Sequence, residues 1–238
     1  MFPIRDNVPA RRAPIVTYLL IGVNVVLFLR QAALPDPAQL EYLHVFGVVP
    51  RRLLQPAWAE RVGFPPGAAL SLFTSMFLHG GWFHLISNMW ALWLFGDNVE
   101  DRLGRLRYIL FYVLCGVVAM LAHVALNPAS VVPAVGASGA IAGVMGAYLL
   151  YFPLARMVVM IPVFFYPLFF EVPAVVFLVL WILTQLVGGA SARLAGAAGA
   201  GGVAFWAHVG GFFCGMILGA RWRPRRRSLR RYREFDGG

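Results

Sequence analysis

Gly136-Ala137-Ser138-Gly139-Ala140-Ile141-Ala142-Gly143-Val144-Met145-Gly146 opens an apolar run that continues to Phe152. Its glycines at 139, 143 and 146 stand four and three apart, so they share one face of a helix. A face without side chains lets another helix backbone approach closely. The last apolar run is built the same way, with His208 near its start and Gly211, Gly215 and Gly219 behind it. Packing these two helices together is expected to bring Ser138 and His208 to the same end of a bundle.

Composition sets the environment. Hydrophobic residues make up 60% of the 238 residues, and the mean hydropathy is +0.73, far above a soluble chain. Several apolar runs approach or exceed the about 20 residues needed to cross a bilayer. They are continuous rather than alternating, which excludes a transmembrane barrel. The expected fold class is therefore all-α: a polytopic membrane protein with one compact helical domain. Arg5, Arg11 and Arg12 precede the first run without a cleavage-site pattern, so Pro14 to Leu29 reads as an uncleaved signal anchor.

The net charge of +10 comes entirely from arginine, and eight arginines lie between Arg221 and Arg233. Alone, such a tail suits nucleic acid or acidic lipid. Directly after an apolar run it reads as a cytoplasmic topology anchor, so the expected partner is the lipid bilayer and not nucleic acid. Cys115 and Cys214 both fall within apolar runs, which fits small packing residues and neither a disulfide framework nor a zinc site.

Six spans are expected, at about 14–33, 82–97, 106–126, 137–153, 173–189 and 204–221. With both termini cytoplasmic, the inside segments hold Arg5, Arg11, Arg12, Arg102, Arg105, Arg107, Arg156 and the tail. The outside segments hold Arg51, Arg52, Arg61 and Arg193, with Arg30 at the border, and that bias favours this topology. The domain plan is a cytoplasmic tail over 1–13, a membrane domain over 14–221 and an Arg-rich cytoplasmic tail over 222–238. Met157 to Phe170 is apolar but short and broken by Pro162 and Pro167, and reads as an interfacial or re-entrant connection. The outside loop 34–81 is too apolar to float in water and should lie in the interface as short amphipathic pieces. Trp82, Trp90 and Trp93 suit interface or lipid-facing anchors. The Gly/Ala-rich loop within 190–203 has little to pack and is expected to act as a lid and gate ahead of the His208 helix.

Polar side chains in a bilayer core need a reason. His84, Asn88, Ser138 and His208 stand out, and the topology places all four near the outer ends of their helices. His84 and Asn88 are four apart, on one face. A hydroxyl beside an imidazole is an activated nucleophile. The expected catalytic pair is Ser138 as nucleophile with His208 as base. No acid falls within a span near that end, so the pair is expected to be a dyad held by packing rather than a triad. The Ser138 backbone N–H at a helix N-terminus, with the side chains of His84 and Asn88, can supply an oxyanion site. The blander readings are a small packing serine, a structural histidine and an asparagine bonding across helices. The coincidence at one depth argues against all three. His44, His79 and His123 read as structural. A metal site from His79, His84 and His208 lacks an HExxH motif and a carboxylate, so no metal is expected.

These residues resemble the rhomboid family of intramembrane serine proteases. The similarity lies in Gly136-Ala137-Ser138-Gly139, in Ala207-His208 with Gly210, Gly211 and Gly215, in His79, His84 and Asn88, and in Asn98-Val99-Glu100-Asp101-Arg102-Leu103-Gly104. It runs from about residue 70 to 220. The resemblance implies a six-transmembrane-helix rhomboid-like bundle and a serine endopeptidase with Ser138 as nucleophile and His208 as general base. It implies His84, Asn88 and the Ser138 amide at the oxyanion, and no cofactor. The implied substrates are single-span membrane proteins cut near their outer end; the expected setting is a multi-pass protein of a cell membrane, and basicity from arginine alone, which suits a GC-rich genome, points to the plasma or inner membrane of a prokaryote. Two positions depart from the family: the first outside loop reads Leu70-Ser71 where many members carry Trp-Arg, and Ala142 stands where an aromatic often supports the histidine. The competing readings are a catalytically inactive relative that binds transmembrane helices, and a small-solute transporter. The transporter is disfavoured by the lack of internal repeats and of intramembrane acids. The oligomeric state is left open.

Overall fold

A computed structural model describes residues 2–163, 166–195 and 204–222. In chain order the elements are β1 (Phe2–Asp6), α1 (Ile15–Ala32), α2 (Asp36–Phe46), α3 (Pro50–Leu54), α4 (Pro56–Arg61), α5 (Ser71–Thr74), α6 (Trp82–Leu103), α7 (Arg105–Leu126), α8 (Ser138–Tyr151), β2 (Arg156–Val163), β3 (Tyr166–Pro173), α9 (Ala174–Leu194) and α10 (Phe205–Arg221). Among the described residues, α1, α7 and α9 are long and apolar enough to cross a membrane, and α8 is a shorter apolar helix.

The bundle is built around α8, which is buried from Gly139 to Tyr148. Its most extensive neighbour is α10, as the glycine pattern predicts. A Cβ on Gly211 would overlap the carbonyl of Gly139, and one on Gly215 the carbonyl of Gly143. In return Gly146 faces the Phe212 carbonyl. The two backbones are in contact because neither carries a side chain at the crossing. Exposed apolar side chains such as Leu19, Val26, Leu110, Leu121, Leu180 and Leu183 clothe α1, α7 and α9.

The Asn98–Gly104 motif acts as a structural clamp. Gly104, at φ +77°, turns the chain directly from α6 into α7, a conformation that favours glycine. Four residues earlier, the buried Glu100 carboxylate accepts hydrogen bonds from the backbone N–H of Val16 (3.0 Å), the backbone N–H of Thr17 (2.8 Å) and the Thr17 hydroxyl (2.9 Å). Pro14 at the N-cap of α1 supplies no side-chain cap, so a carboxylate from a distant helix satisfies the orphan donors and the positive end of the helix dipole. Glu100→Ala is expected to destabilise the bundle by about 1.5–3 kcal/mol, the range for hydrogen bonds to a charged group. The measurement is a lowered Tm of the detergent-solubilised protein, only partly restored by Glu100→Gln.

The region 34–81 does break into short pieces, namely α2 to α5 with 3-10 turns at Ala68–Leu70 and Ser75–Phe77. Arg52 organises the first half. Its buried guanidinium donates to the carbonyls of His44 (3.2 Å), Val45 (2.6 Å) and Pro65 (2.9 Å). An isolated bridge between Val48 and Ala134 ties this region to the segment leading into Ser138.

Three expectations are corrected. The protein is mostly helical rather than all-α, because Met157 to Phe170, the segment expected as an interfacial or re-entrant connection, holds strands. It forms the antiparallel hairpin β2–β3, with Met157 opposite Val172 and Pro162 opposite Pro167. Prolines that forbid a helix are tolerated here because Pro167 lies on the edge strand β3 and Pro162 lies past Met160, where the described pairing with β1 ends. Second, the 1–13 segment, expected only as a cytoplasmic tail, carries a strand: β1 adds to β2, with Phe2 opposite Met160. Asp6 anchors it, accepting hydrogen bonds from Asn98 Nδ2 (3.1 Å), the Val8 N–H (3.2 Å) and the Tyr148 hydroxyl. Burial pushes the Asp6 carboxyl above the usual carboxylate range, offset in part by the Tyr148 and Val8 hydrogen bonds. Third, the stretch 190–203 is not loop throughout, since α9 continues to Leu194. The rest of that expected lid, 196–203, and the arginines beyond Arg221 lie outside the described residues.

Candidate active site

A cavity of about 1030 Å³ lies between α6 and α9, and Ser138, His208, His84 and Asn88 all line it. Phe83, Ile86 and Trp90 of α6 face it from one side, and Phe177 and Trp181 of α9 from the other. Pro3 of β1 lines it as well, and the Pro3 carbonyl accepts a hydrogen bond from Trp90 Nε1 (2.6 Å). The four polar residues singled out in the sequence are thus brought together in a largely apolar chamber.

Ser138 is the first residue of α8, half-buried, and makes no side-chain cap. The chain enters it through Gly136, whose φ is +125° and whose N–H donates to the Ser75 carbonyl (2.9 Å). A Cβ at Gly136 would lie 2.8 Å from His84 Nε2 and 3.6 Å from Asn88 Nδ2. Glycine is therefore required twice, by its backbone angle and by the side chains drawn up against it.

Those side chains are oriented as donors. The Gly80 N–H donates to His84 Nδ1 (3.2 Å), which makes Nδ1 the acceptor and leaves the proton on Nε2, the atom facing Gly136. Asn88 is buried, and its Nδ2 has no hydrogen-bond partner among the described residues. Two N–H donors and the first N–H groups of α8 thus gather where a developing oxyanion can accept them. His79 stacks edge-on against both His84 (centroids 5.2 Å) and Phe28 (6.2 Å), a packing role. Burial and the neighbouring His84 push it down to about 3, so it stays neutral. His123, read as structural from sequence, also lines the cavity, whereas His44 bonds the Leu40 carbonyl (2.9 Å) away from it.

His208 stands near the start of α10. Gly139 and Ala207, the neighbours of Ser138 and His208, face each other across the α8–α10 contact. Packing alone was expected to hold the imidazole, but His208 Nδ1 makes a 2.7 Å hydrogen bond with Gln185 Oε1 of α9. Trp181, one turn earlier, lies against the ring with centroids 5.7 Å apart and planes at 37°. Ala142 brings no ring, and α9 supplies one instead. Gln185 is not an acid, so its residue type does not mark it as the third member of a triad. The signal was present: it is a polar residue inside an apolar run, the criterion that singled out Asn88. The same is true of Gln31, which holds the chain ahead of α6 by donating to the His79 carbonyl (2.6 Å) and accepting from the His79 N–H (3.3 Å).

A helical membrane protein with a serine, an oriented imidazole and converging N–H donors in one chamber defines a class equipped for acyl transfer. Residues 66–225 match the Rhomboid domain family, and the chain belongs to the rhomboid family. It is 30% identical over 207 residues to Rhomboid protease GluP of Bacillus subtilis (strain 168), covering 87% of this chain and 35% of that protein. RHOMBOID-like protein 1 of Arabidopsis thaliana is 40% identical over 78 residues, 33% of this chain and 20% of the relative. Rhomboid protein 1, mitochondrial, of Saccharomyces cerevisiae is 29% identical over 148 residues, 60% of this chain and 38% of the relative. The chain spans well under half the length of each of these proteins.

Proposed function

We propose that this protein is an intramembrane serine endopeptidase that cleaves single-span membrane proteins near the outer end of their transmembrane segment. The observation that carries the reading is the convergence of Ser138, His208, His84 and Asn88 on one cavity between α6 and α9. In the proposed reaction His208 Nε2 takes the Ser138 proton as Oγ attacks the scissile carbonyl. The oxyanion is held by the Ser138 N–H, His84 Nε2–H and Asn88 Nδ2–H. His208 returns the proton to the leaving amine, and a water then releases the acyl group by the same route. None of these steps calls for a cofactor.

The charge bias of the arginines supports six spans with both termini cytoplasmic, and basicity from arginine without lysine, as in a GC-rich genome, favours the plasma or inner membrane of a prokaryote. The length of α8 supports the depth of the site. Its 14 residues rise about 21 Å, short of the about 30 Å hydrocarbon core. A helix ending at the cytoplasmic face therefore starts below the outer surface, and water reaches Ser138 through the cavity. A substrate helix enters laterally between α6 and α9 and unwinds, since a helical peptide bond is shielded. In this reading α9 acts as the gate.

The direct test is a fluorophosphonate probe, which will label the wild-type protein and not Ser138→Ala. A wild-type protein that binds transmembrane helices yet stays unlabelled and turns nothing over is the inactive relative instead. Gly136→Ala is expected to lower kcat by about a hundredfold, because the new methyl group strains the backbone and displaces His84 Nε2, and one oxyanion donor is worth that much. Reporter cleavage by purified protein checks it, and a value within threefold of wild type counts against the assigned donor.

A further inference from the structure

We infer that Gln185 is the positioning residue of His208, taking the place of a triad acid by accepting the Nδ1 proton and so leaving Nε2 bare toward Ser138. The inference rests on the protease reading of the same site. The contact is 2.7 Å long, and Gln185 is buried, with 9% of its surface exposed. A glutamine amide can present either end, so which end faces the histidine decides the chemistry. Here the other end is engaged: Gln185 Nε2 donates to Thr184 Oγ1 (3.1 Å), and the Thr184 hydroxyl donates to the Trp181 carbonyl (2.6 Å). The Thr184 hydroxyl proton is committed to that carbonyl, so its oxygen is left to accept. This chain of donors turns the Gln185 oxygen toward His208. An oxygen there accepts only from a protonated Nδ1, which selects the tautomer whose Nε2 can act as base.

Chemistry favours the assignment over simple packing. When Nε2 takes the serine proton, the ring becomes a cation, and the hydrogen bond to Gln185 becomes charge-assisted and stronger. No carboxylate bonds the ring among the described residues. The titratable groups that face it are His84 from α6 and His123 from α7, neither of which stabilises a cation. From α9 the Trp181 ring and the Gln185 amide approach it. An amide oxygen is thus the strongest acceptor offered to the imidazolium. The residue sits on α9, the helix bordering the cavity opposite α6, so the orientation of His208 depends on how α9 lies against α10.

The test compares Gln185→Leu, similar in size and apolar, with Gln185→Glu. Reporter cleavage by full-length protein in proteoliposomes is followed across pH, and the tautomer of His208 is read by NMR on protein labelled with 15N-histidine, its signal assigned by loss in His208→Gln. Gln185→Leu should lower kcat about tenfold to a hundredfold at nearly unchanged KM, the worth of one charge-assisted hydrogen bond. Its His208 signal should shift from the Nδ1–H tautomer toward a mixture. Gln185→Glu should restore most of the rate and move the acidic limb of the pH–rate profile to higher pH, since a carboxylate stabilises the imidazolium. Gln185→Leu within twofold of wild type, or Leu and Glu variants falling equally with one pH profile, overturns the assignment. So does an Nε2–H tautomer in wild type. The NMR readout separates the two claims: an Nδ1–H tautomer lost in Gln185→Leu, in a protein that turns nothing over, upholds the positioning and sinks the protease.

Discussion

Ser138→Ala is expected to reduce cleavage of a single-span reporter by about 10⁴ to 10⁶-fold, with Tm unchanged within a degree or two. Loss of a nucleophile that works as a unit with its base removes nearly the whole covalent route, and what remains is water attack aided by the oxyanion donors. The structural cost is small for a definite reason. The Ser138 side chain caps nothing, and the fold around it is held by Gly136, by α8 packing and by the α8–α10 contact. Alanine keeps the volume of the Cβ and loses only a hydroxyl facing the cavity. The assay is gel-based cleavage by purified protein in proteoliposomes, with thermal melting in parallel. Residual cleavage above about a hundredth of wild type would refute the nucleophile. The alternative of a non-catalytic binder predicts no measurable cleavage by wild type and identical substrate capture by the two proteins.

Gly215→Val is expected to abolish both activity and the folded bundle. The first carbon of any side chain at 215 overlaps the carbonyl, carbonyl carbon and Cα of Gly143. All three are backbone atoms, so no rotamer change relieves the clash; α10 must move away from α8. Overpacking a tight core costs about 1–3 kcal/mol when side chains can give way, and more when backbone must. His208 is on the same helix, two turns nearer its start, and is carried away from Ser138 by any such movement. The expected readout is loss of the monodisperse peak on size-exclusion chromatography and a Tm drop of many degrees. Gly22→Ala, where nothing lies within 4 Å of the added carbon, serves as the control and should be neutral. A Gly215→Val protein that folds with native Tm would show that the close approach of α8 and α10 is not required.

These two outcomes differ in what they depend on, and the difference tracks what could be read from the chain. The apolar runs, the glycine spacing on 136–146 and 208–219 and the polar outliers His84, Asn88, Ser138 and His208 were legible because membrane insertion and helix periodicity act on local sequence. Lipid forces backbone pairing within each segment, so long apolar runs have few alternatives. The pairing of β1 with β2 was not legible, because it joins residues more than 150 positions apart, Phe2 with Met160, and the hairpin β2–β3 was not, because short apolar runs do not distinguish strand from other buried segments by periodicity. Likewise, Glu100 reads as a charge at the end of a helix, and only the fold carries it to the N-terminus of α1.

The sequence by itself determined that this is a helical membrane protein, that two glycine-faced helices pack together, and which serine and histidine they carry. Periodicity and hydropathy are properties of neighbouring residues and survive without a structure. Only the tertiary structure decided how the site is oriented. It put Gly80 against His84 to place a proton on Nε2, emptied the space at Gly136, and brought Gln185 and Trp181 from α9 to His208 where Ala142 offers no ring. Hydrogen-bond direction and tautomer depend on atoms from helices distant in sequence meeting within about 3 Å, and no local pattern encodes that meeting.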